Sequence, residues 1–456
     1  MSRSASASFV RPRLLDIAWP MFLELGLGIG VGVIGTILAA RISDPAGAAF
    51  ALANQISAML FILFRIVGAG VSVVVAQSLG SGRRETADAV ARAVLGASTW
   101  VGVLTASLAF GGAALLLDIM QAPMDVLPLA TPFLQALAPA MLFDAWNASM
   151  AGVMRAHLRV RDTLAVIVMM HCAHLILAVA LMPTWGLTGF AIALMASRAL
   201  GLALHWCLWG FRLGIKPRFA DWWRLPRHEL SMVLRIGLPG AAENIAYRLA
   251  FMVSVAVAGN MGAQALATQA YALQITYGVL LFGLATGLAV EIVVGHLIGA
   301  GRLHEAHTLV RRALARGLAV SVVVATFVAL AGPWLLGQFT RDAAIIATGS
   351  ALLWWTVLLE PGRTFNLVVI NALRAAGDAR YPVIAGAASM AIVLGGGSWF
   401  LGVYLGWGLT GIWIAYAADE WIRGLIMWRR WARHGWVPHA RATHRRLRRK
   451  DVAVAE

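Results

Sequence analysis

Apolar runs of about 20 residues recur along the whole chain, each long enough to form a helix across a bilayer. Twelve are predicted, near 14–39, 50–79, 87–117, 126–154, 162–183, 187–211, 230–258, 264–298, 306–337, 343–373, 381–402 and 408–430. The polar stretches between them alternate in charge. Arg3, Arg11 and Arg13 precede the first run, and Arg83 and Arg84 follow the second. Arg155, Arg159 and Arg161 follow the fourth, Arg212 to Arg227 the sixth, Arg302, Arg311 and Arg312 the eighth, and Arg374 and Arg380 the tenth. The intervening loops, LLLDIMQAPMDVLPL, MPTWGLTG, GNMGAQA and YLGWGLTG, carry no positive charge; Arg41 and Arg341 are isolated exceptions, each near an Asp. Because positive loops stay on the cytoplasmic side, the pattern predicts an even number of spans with both termini in the cytoplasm.

The pattern also repeats. Pro20 and Glu24 of IAWPMFLELGL match Pro239 and Glu243 of IGLPGAAENIAY, at 239 − 20 = 219 and 243 − 24 = 219. At the same offset ANQIS (53–57) lies on ALQIT (272–276), LGSGR (79–83) on IGAGR (298–302), and Asn147 and Arg155 on Asn366 and Arg374. WGLTG (185–189) returns as WGLTG (407–411), offset by 222. Six helices per copy is even, so the copies share one orientation in the membrane. The expected fold is an all-α polytopic membrane protein of twelve transmembrane helices in two parallel six-helix repeats. Residues 1–211 and 230–430 form the two lobes, joined by a hinge-like cytoplasmic linker, 212–229, and followed by a basic tail, 431–456.

Composition agrees. Of the 456 residues only 13% are charged and 60% are hydrophobic, with a mean hydropathy of +0.77; a soluble domain carries about 25% charged residues. The net charge of +16 resides in loops and tail, where anionic lipid headgroups account for it better than nucleic acid does. The basic N-terminus leads into the first run without a small-residue cleavage site, which predicts a retained helix. Cys172 and Cys207, both in apolar runs, are expected to be buried, unbridged thiols. Arginine far outnumbers lysine, as in a GC-rich bacterial genome, so a bacterial inner membrane is the expected location.

A carboxylate inside a bilayer is costly unless paired, protonated or wetted, which makes it a functional candidate. Glu24 and Glu243 each follow a helix-bending proline that leaves a carbonyl free, and Glu24 lies roughly 15 Å past Arg13 along a helix, near the midplane. The alternative is a carboxylate hydrogen-bonded near the interface. Asn244 adds an oxygen to the second copy, with Tyr247 one turn deeper. Glu360 and Arg363 stand one turn apart, either as a static ion pair or as a pair that opens when a cation arrives. Asp144 matches Arg363 in the repeat, which suggests a pair across the lobes. Asn147, Asn366, Gln55 and Gln274 are helix–helix glue or cleft-lining amides. Arg65, Arg198 and Glu291 read as snorkelling or mutually paired charges, and His171 and His174 as packed histidines. No phosphate loop, HExxH or nucleophile elbow occurs, so an ATP-driven pump or an intramembrane enzyme finds no support.

The proline-bearing first and seventh helices, ALANQIS…VVVAQSLGSGRR with its second-half counterpart, and NALRAAGDARYP together resemble the multidrug and toxic compound extrusion (MATE) transporters over nearly the full length. The resemblance implies two six-helix lobes around a V-shaped cleft and no enzymatic activity. It also implies export of amphipathic, cationic small molecules by a monomer embedded in lipid, in exchange for H⁺ or Na⁺ and without a cofactor. In that reading Glu243, Glu360, Glu24 and Asn244 bind the driving cation. Asn147, Asn366, Gln55, Gln274, Tyr247, Asp144 and Arg363 line the cleft. The chain departs from the family where many members carry an Asp late in the first helix; here it reads VIGT, with Gly35. The tenth-helix acid, counted back from LRAAGD, falls on Arg363, and the seventh-helix acid of the NorM-type branch lies about a turn beyond Glu243. The coupling ion therefore stays open, and a related lipid-linked saccharide flippase remains the alternative.

Overall fold

The structure is a computed structural model that describes residues 13–448, apart from the side chain of Arg65. Arg3, Arg11 and the tail beyond Arg448 lie outside the described residues. In chain order the helices are α1 (Leu14–Ala40), α2 (Asp44–Gly80), α3 (Arg84–Gly111), α4 (Leu127–Ala156), α5 (160–185) and α6 (187–208). The second half gives α7 (Arg227–Asn260), α8 (Ala263–Gly299), α9 (Leu303–Leu330), α10 (Ala343–Ala375), α11 (Arg380–Tyr404) and α12 (Gly408–Ala432). A tail helix, α13, covers Val437–Arg448. The third and ninth predicted runs each end in a separate short helix, Ala113–Ile119 and Gly332–Gly337.

Among the described residues nine helical stretches are long and apolar enough to cross a membrane. One of the nine is α5 and α6 joined at Gly186; α4 and the charge-bearing α12 complete the twelve, 9 + 1 + 2. The joint explains the repeated WGLTG. Gly186 (φ 56°) and Gly408 (φ 59°), equivalent at 408 − 186 = 222, both occupy the left-handed region, which L residues enter only at a cost. A positive-φ glycine thus marks the reversal between the fifth and sixth helices of each copy.

Large apolar side chains such as Phe110, Ile176, Phe327 and Ile392 stand exposed around the bundle, as a lipid-solvated surface requires. Cys172 and Cys207 are exposed there too, contrary to the expected burial: in a membrane protein an apolar run can face lipid instead of protein. The 212–229 segment is anchored. Ile215 and Trp222 are buried, Trp222 stacks on Trp206 at 5.2 Å, and the Trp100 indole donates to the Trp223 carbonyl at 3.1 Å.

The two copies meet through α1 on α8, α2 on α7, and α2 on α8. Every residue of 71–78 and of 289–299 is buried, so α2 and α8 are enclosed at the end where the arginine-bearing loops cluster, the basic end. A Cβ on Gly80 would fall 2.0 Å from the His296 carbonyl oxygen, and one on Gly299 would fall 2.0 Å from that of Gln77. These contacts are equivalent at the offset of 219 and lie astride the pseudo-twofold axis. Toward the other end the same faces are uncovered. Ala51, Gln55, Ala58 and Met59 of α2 are exposed, as are their equivalents Ala270, Gln274, Tyr277 and Gly278 of α8. Gln55 precedes Gly80 by 25 residues and Gln274 precedes Gly299 by the same number, about seven turns in each case. Both amides therefore point along the face that closes at the basic end. The halves touch at one end and part at the other, which is a V.

Gly80→Ala and Gly299→Ala should each wedge α2 from α8, cost about 1–3 kcal/mol by overpacking and lower the melting temperature of the detergent-purified protein. Gly259→Ala, with open space around its Cβ, is the control; equal melting temperatures in all three would contradict the contact.

Candidate ion-coupling and gating site

Both proline-preceded acids are clamped by arginines one helix away. Glu24 Oε1 lies 2.5 Å from Arg155 Nη1, and Glu243 Oε2 pairs with Arg374 Nη2. The arginines are themselves equivalent, 374 − 155 = 219, so the duplication preserved an ion pair between the first and fourth helix of each copy. Neither acid is a free midplane group as expected, because a guanidinium reaches in from near the basic end of α4 or α10. The residue after each arginine carries the seam between the halves. His296 Nε2 donates to the Ala156 carbonyl and Gln77 Nε2 donates to the Ala375 carbonyl, each at 2.8 Å. A carbonyl only accepts, which fixes the His296 tautomer as Nε2–H. These bonds are again related by 296 − 77 = 219 and 375 − 156 = 219. They satisfy carbonyls at helix C-termini that have no partner within their own helix.

The second half holds a buried charge cluster. Glu360 Oε1 pairs with Arg363 Nη1 at 2.5 Å, and Arg363 Nε reaches Glu420 Oε1 at 3.4 Å. Asn366 Nδ2 donates to Glu420 Oε2 at 2.9 Å. Arg423 Nη2 stands 2.8 Å from Asp419 and 2.9 Å from Glu420, and the Ser389 hydroxyl donates to Asp419 at 2.7 Å. Tyr247, stacked on Phe251, lies under the Arg423 guanidinium at 5.9 Å. Glu243 joins this group at Gly386: a Cβ there would lie 3.9 Å from Arg423 Cδ and 4.0 Å from Glu243 Cγ. Four carboxylates (243, 360, 419, 420) thus face three guanidiniums (363, 374, 423), leaving 3 − 4 = −1 when all are ionised. A net charge buried this deep costs several kcal/mol, and one proton or one monovalent cation removes it.

The first half carries the same scaffold with reversed polarity and no excess charge. Asp144 takes the place of Arg363, and Arg198 that of Glu420 (420 − 198 = 222). Their side chains pair at 2.7 Å. The suggested Asp144–Arg363 pair across the lobes is therefore wrong: each of these residues has its partner within its own copy, Asp144 with Arg198 and Arg363 with Glu360 and Glu420. Asn147 donates to the Arg198 carbonyl and accepts from His205 Nδ1, each at 2.9 Å. His171 and His174 are buried on α5. Asn244 donates to the carbonyl of Gly240 in its own helix at 2.8 Å. Gln55 and Gln274 stand on the parted faces, away from the charge cluster.

The sequence reading missed Asp419, Glu420 and Arg423, and treated Arg155 and Arg374 only as repeat markers and loop charges. A signal existed for both groups. DEWIR interrupts the apolar run of α12 with three charges, and Arg155 and Arg374 repeat at the offset that relates the two glutamates.

Comparison with known proteins agrees with this architecture. The model of the MatE family matches residues 20–180 and 239–395, one match in each copy. The uncharacterized transporter YisQ of Bacillus subtilis is 31% identical over 93% of this chain and 94% of its own length. A probable multidrug resistance protein NorM of Bradyrhizobium diazoefficiens is 28% identical over 91% and 92%. A solved outward-facing multidrug resistance MATE transporter superposes with a TM-score of 0.86 at 19% identity, covering 93% of this chain and 96% of that one. With both copies matched and the doubled helical architecture in common, the chain belongs to the MatE family, the multidrug and toxic compound extrusion transporters.

Proposed function

We propose that the protein is a cation-coupled antiporter of the bacterial inner membrane that exports amphipathic cationic small molecules by alternating access. The observation that carries this reading is the uncompensated negative charge of the second-half cluster. A cation or proton entering among Glu360, Glu420 and Asp419 neutralises it and changes which partners Arg363 and Arg423 hold. Glu243 transmits the change, since it borders Arg423 on one side and holds Arg374 on the other. Arg374 adjoins the carbonyl that Gln77 grips across the seam, so ion occupancy and closure of the basic end share one series of contacts. A ligand shifts a conformational equilibrium only through such differential interaction.

With the basic end on the cytoplasmic side, the V opens outward and both termini are cytoplasmic. The apolar, amide-bearing faces of α2 and α8 suit amphipathic cargo. The multidrug resistance names of several relatives fit this substrate class. Both copies of the site lie in one chain, so a monomer suffices.

In proteoliposomes with separately imposed sodium and pH gradients, Glu360→Gln and Glu420→Gln should each cut gradient-driven dye efflux at least tenfold, because the cluster then balances without an ion. Undiminished efflux in both variants removes the cluster from the mechanism.

Gln77→Leu and His296→Leu should each leave one helix-terminal carbonyl unpaired, at about 1–3 kcal/mol. They should shift the population toward an open basic end by about fivefold or more. Spin-label distances between the basic ends of α2 and α8 read this directly; unchanged distributions in both would deny the bonds a gating role.

A further inference from the structure

The tail helix encloses a cavity that the transport reading does not use. α13 is fixed at several points: His444 Nδ1 donates to the Gly299 carbonyl at 2.8 Å, Arg83 donates to the Arg448 carbonyl at 2.9 Å, and Trp436 stacks on Trp431 at 4.2 Å. Thr443 and Leu447 turn inward. Beneath them lies a cavity of about 360 Å³, bounded by α13, α7, the basic end of α2 and the turn from α10 into α11.

Its charge is one-sided. Arg235 of α7, Arg380 of α11 and Arg446 of α13 line it together with His439. The one carboxylate in the lining is Asp378, which accepts from Arg430 Nε at 2.9 Å, and Arg430 stands outside the lining. Among the described residues Arg235, Arg380 and Arg446 have no carboxylate partner. Burial, and secondarily the adjacent Arg235, hold the Arg446 guanidinium below its ordinary value. The N-terminus of the regular helix Arg380–Ser389 opens on the same space and adds partial positive charge.

We propose that this cavity is an anion site that takes a phosphate group, held by Arg235, Arg380 and Arg446. Planar guanidinium forks match the oxygens of a phosphate group bidentately. A phosphate there ties α13 to α7 and α11 beside Gln77, the residue that grips Ala375 across the seam. It thereby favours the closed basic end. The phosphate belongs either to an anionic lipid headgroup at the membrane surface or to a soluble phosphate compound. The inference rests on the fold and not on the transported substrate.

The test is equilibrium binding to the full chain in detergent. Short-chain phosphatidylglycerol, short-chain phosphatidylcholine and inorganic pyrophosphate are titrated separately, and transport is not measured. Arg380→Gln and Arg446→Gln should each weaken binding about fivefold, and the double variant about 25-fold, as the loss of one surface arginine per step implies. Arg441→Gln, which lines a different depression on α13, should leave affinity unchanged. Should Arg446→Gln release α13, Arg235→Gln and Arg380→Gln, both outside that helix, carry the same comparison. Phosphatidylglycerol binding that pyrophosphate does not displace assigns the site to a headgroup, and displacement assigns it to soluble phosphate. Equal weakening by Arg441→Gln, or no anion bound more tightly than phosphatidylcholine, overturns the proposal.

Discussion

The close crossing of α2 and α8 at the basic end governs the rest of the architecture. Two backbones approach this nearly only where side chains are missing, and Gly80 and Gly299 supply the gaps at equivalent positions. Because the contact lies on the axis relating the copies, every bond beside it occurs twice. Gln77 and His296 each reach across to a helix-terminal carbonyl, within an apolar interface in which Ile17 and Met21 of α1 share a core with α8, and Val233 and Ile236 of α7 share one with α2. Each of these bonds is worth about 1 kcal/mol net.

Equivalent scaffolds with unequal charge give the halves different work. Asp144 and Arg198 neutralise each other in the first half, while the matching positions in the second half belong to a group with one negative charge too many. A static, balanced pair holds helices together. An unbalanced cluster in low dielectric is stabilised by a proton or cation that neutralises it. The symmetry gives both halves the same scaffold, and its breaking singles out the place where we propose coupling.

The basic tail extends this logic to the membrane surface. Arg235, Arg380 and Arg446, from separate parts of the chain, line one cavity beside the seam, and the carboxylate in that lining, Asp378, is held by Arg430. Convergence of this kind is repulsive unless an anion sits between the groups.

Twelve membrane segments, the duplication and the two turns at WGLTG were all legible in the sequence, because helix length, a fixed offset and a glycine signature are local properties. So was the need of Glu24, Glu243, Glu360 and Arg363 for a partner, since charge in an apolar run is visible without coordinates. The partners were not. Arg155 and Arg374 lie 131 residues from the acids they hold, Glu420 stands 57 residues from Arg363, and nothing local distinguishes these pairs from the Asp144–Arg363 pairing that the repeat suggested. Sequence determined which residues must be satisfied in the membrane. Only the tertiary arrangement, which brings Arg155 to Glu24, Arg374 to Glu243 and α12 against α10, decided by whom, because an ion pair depends on distance through space, and helices far apart in the chain set that distance.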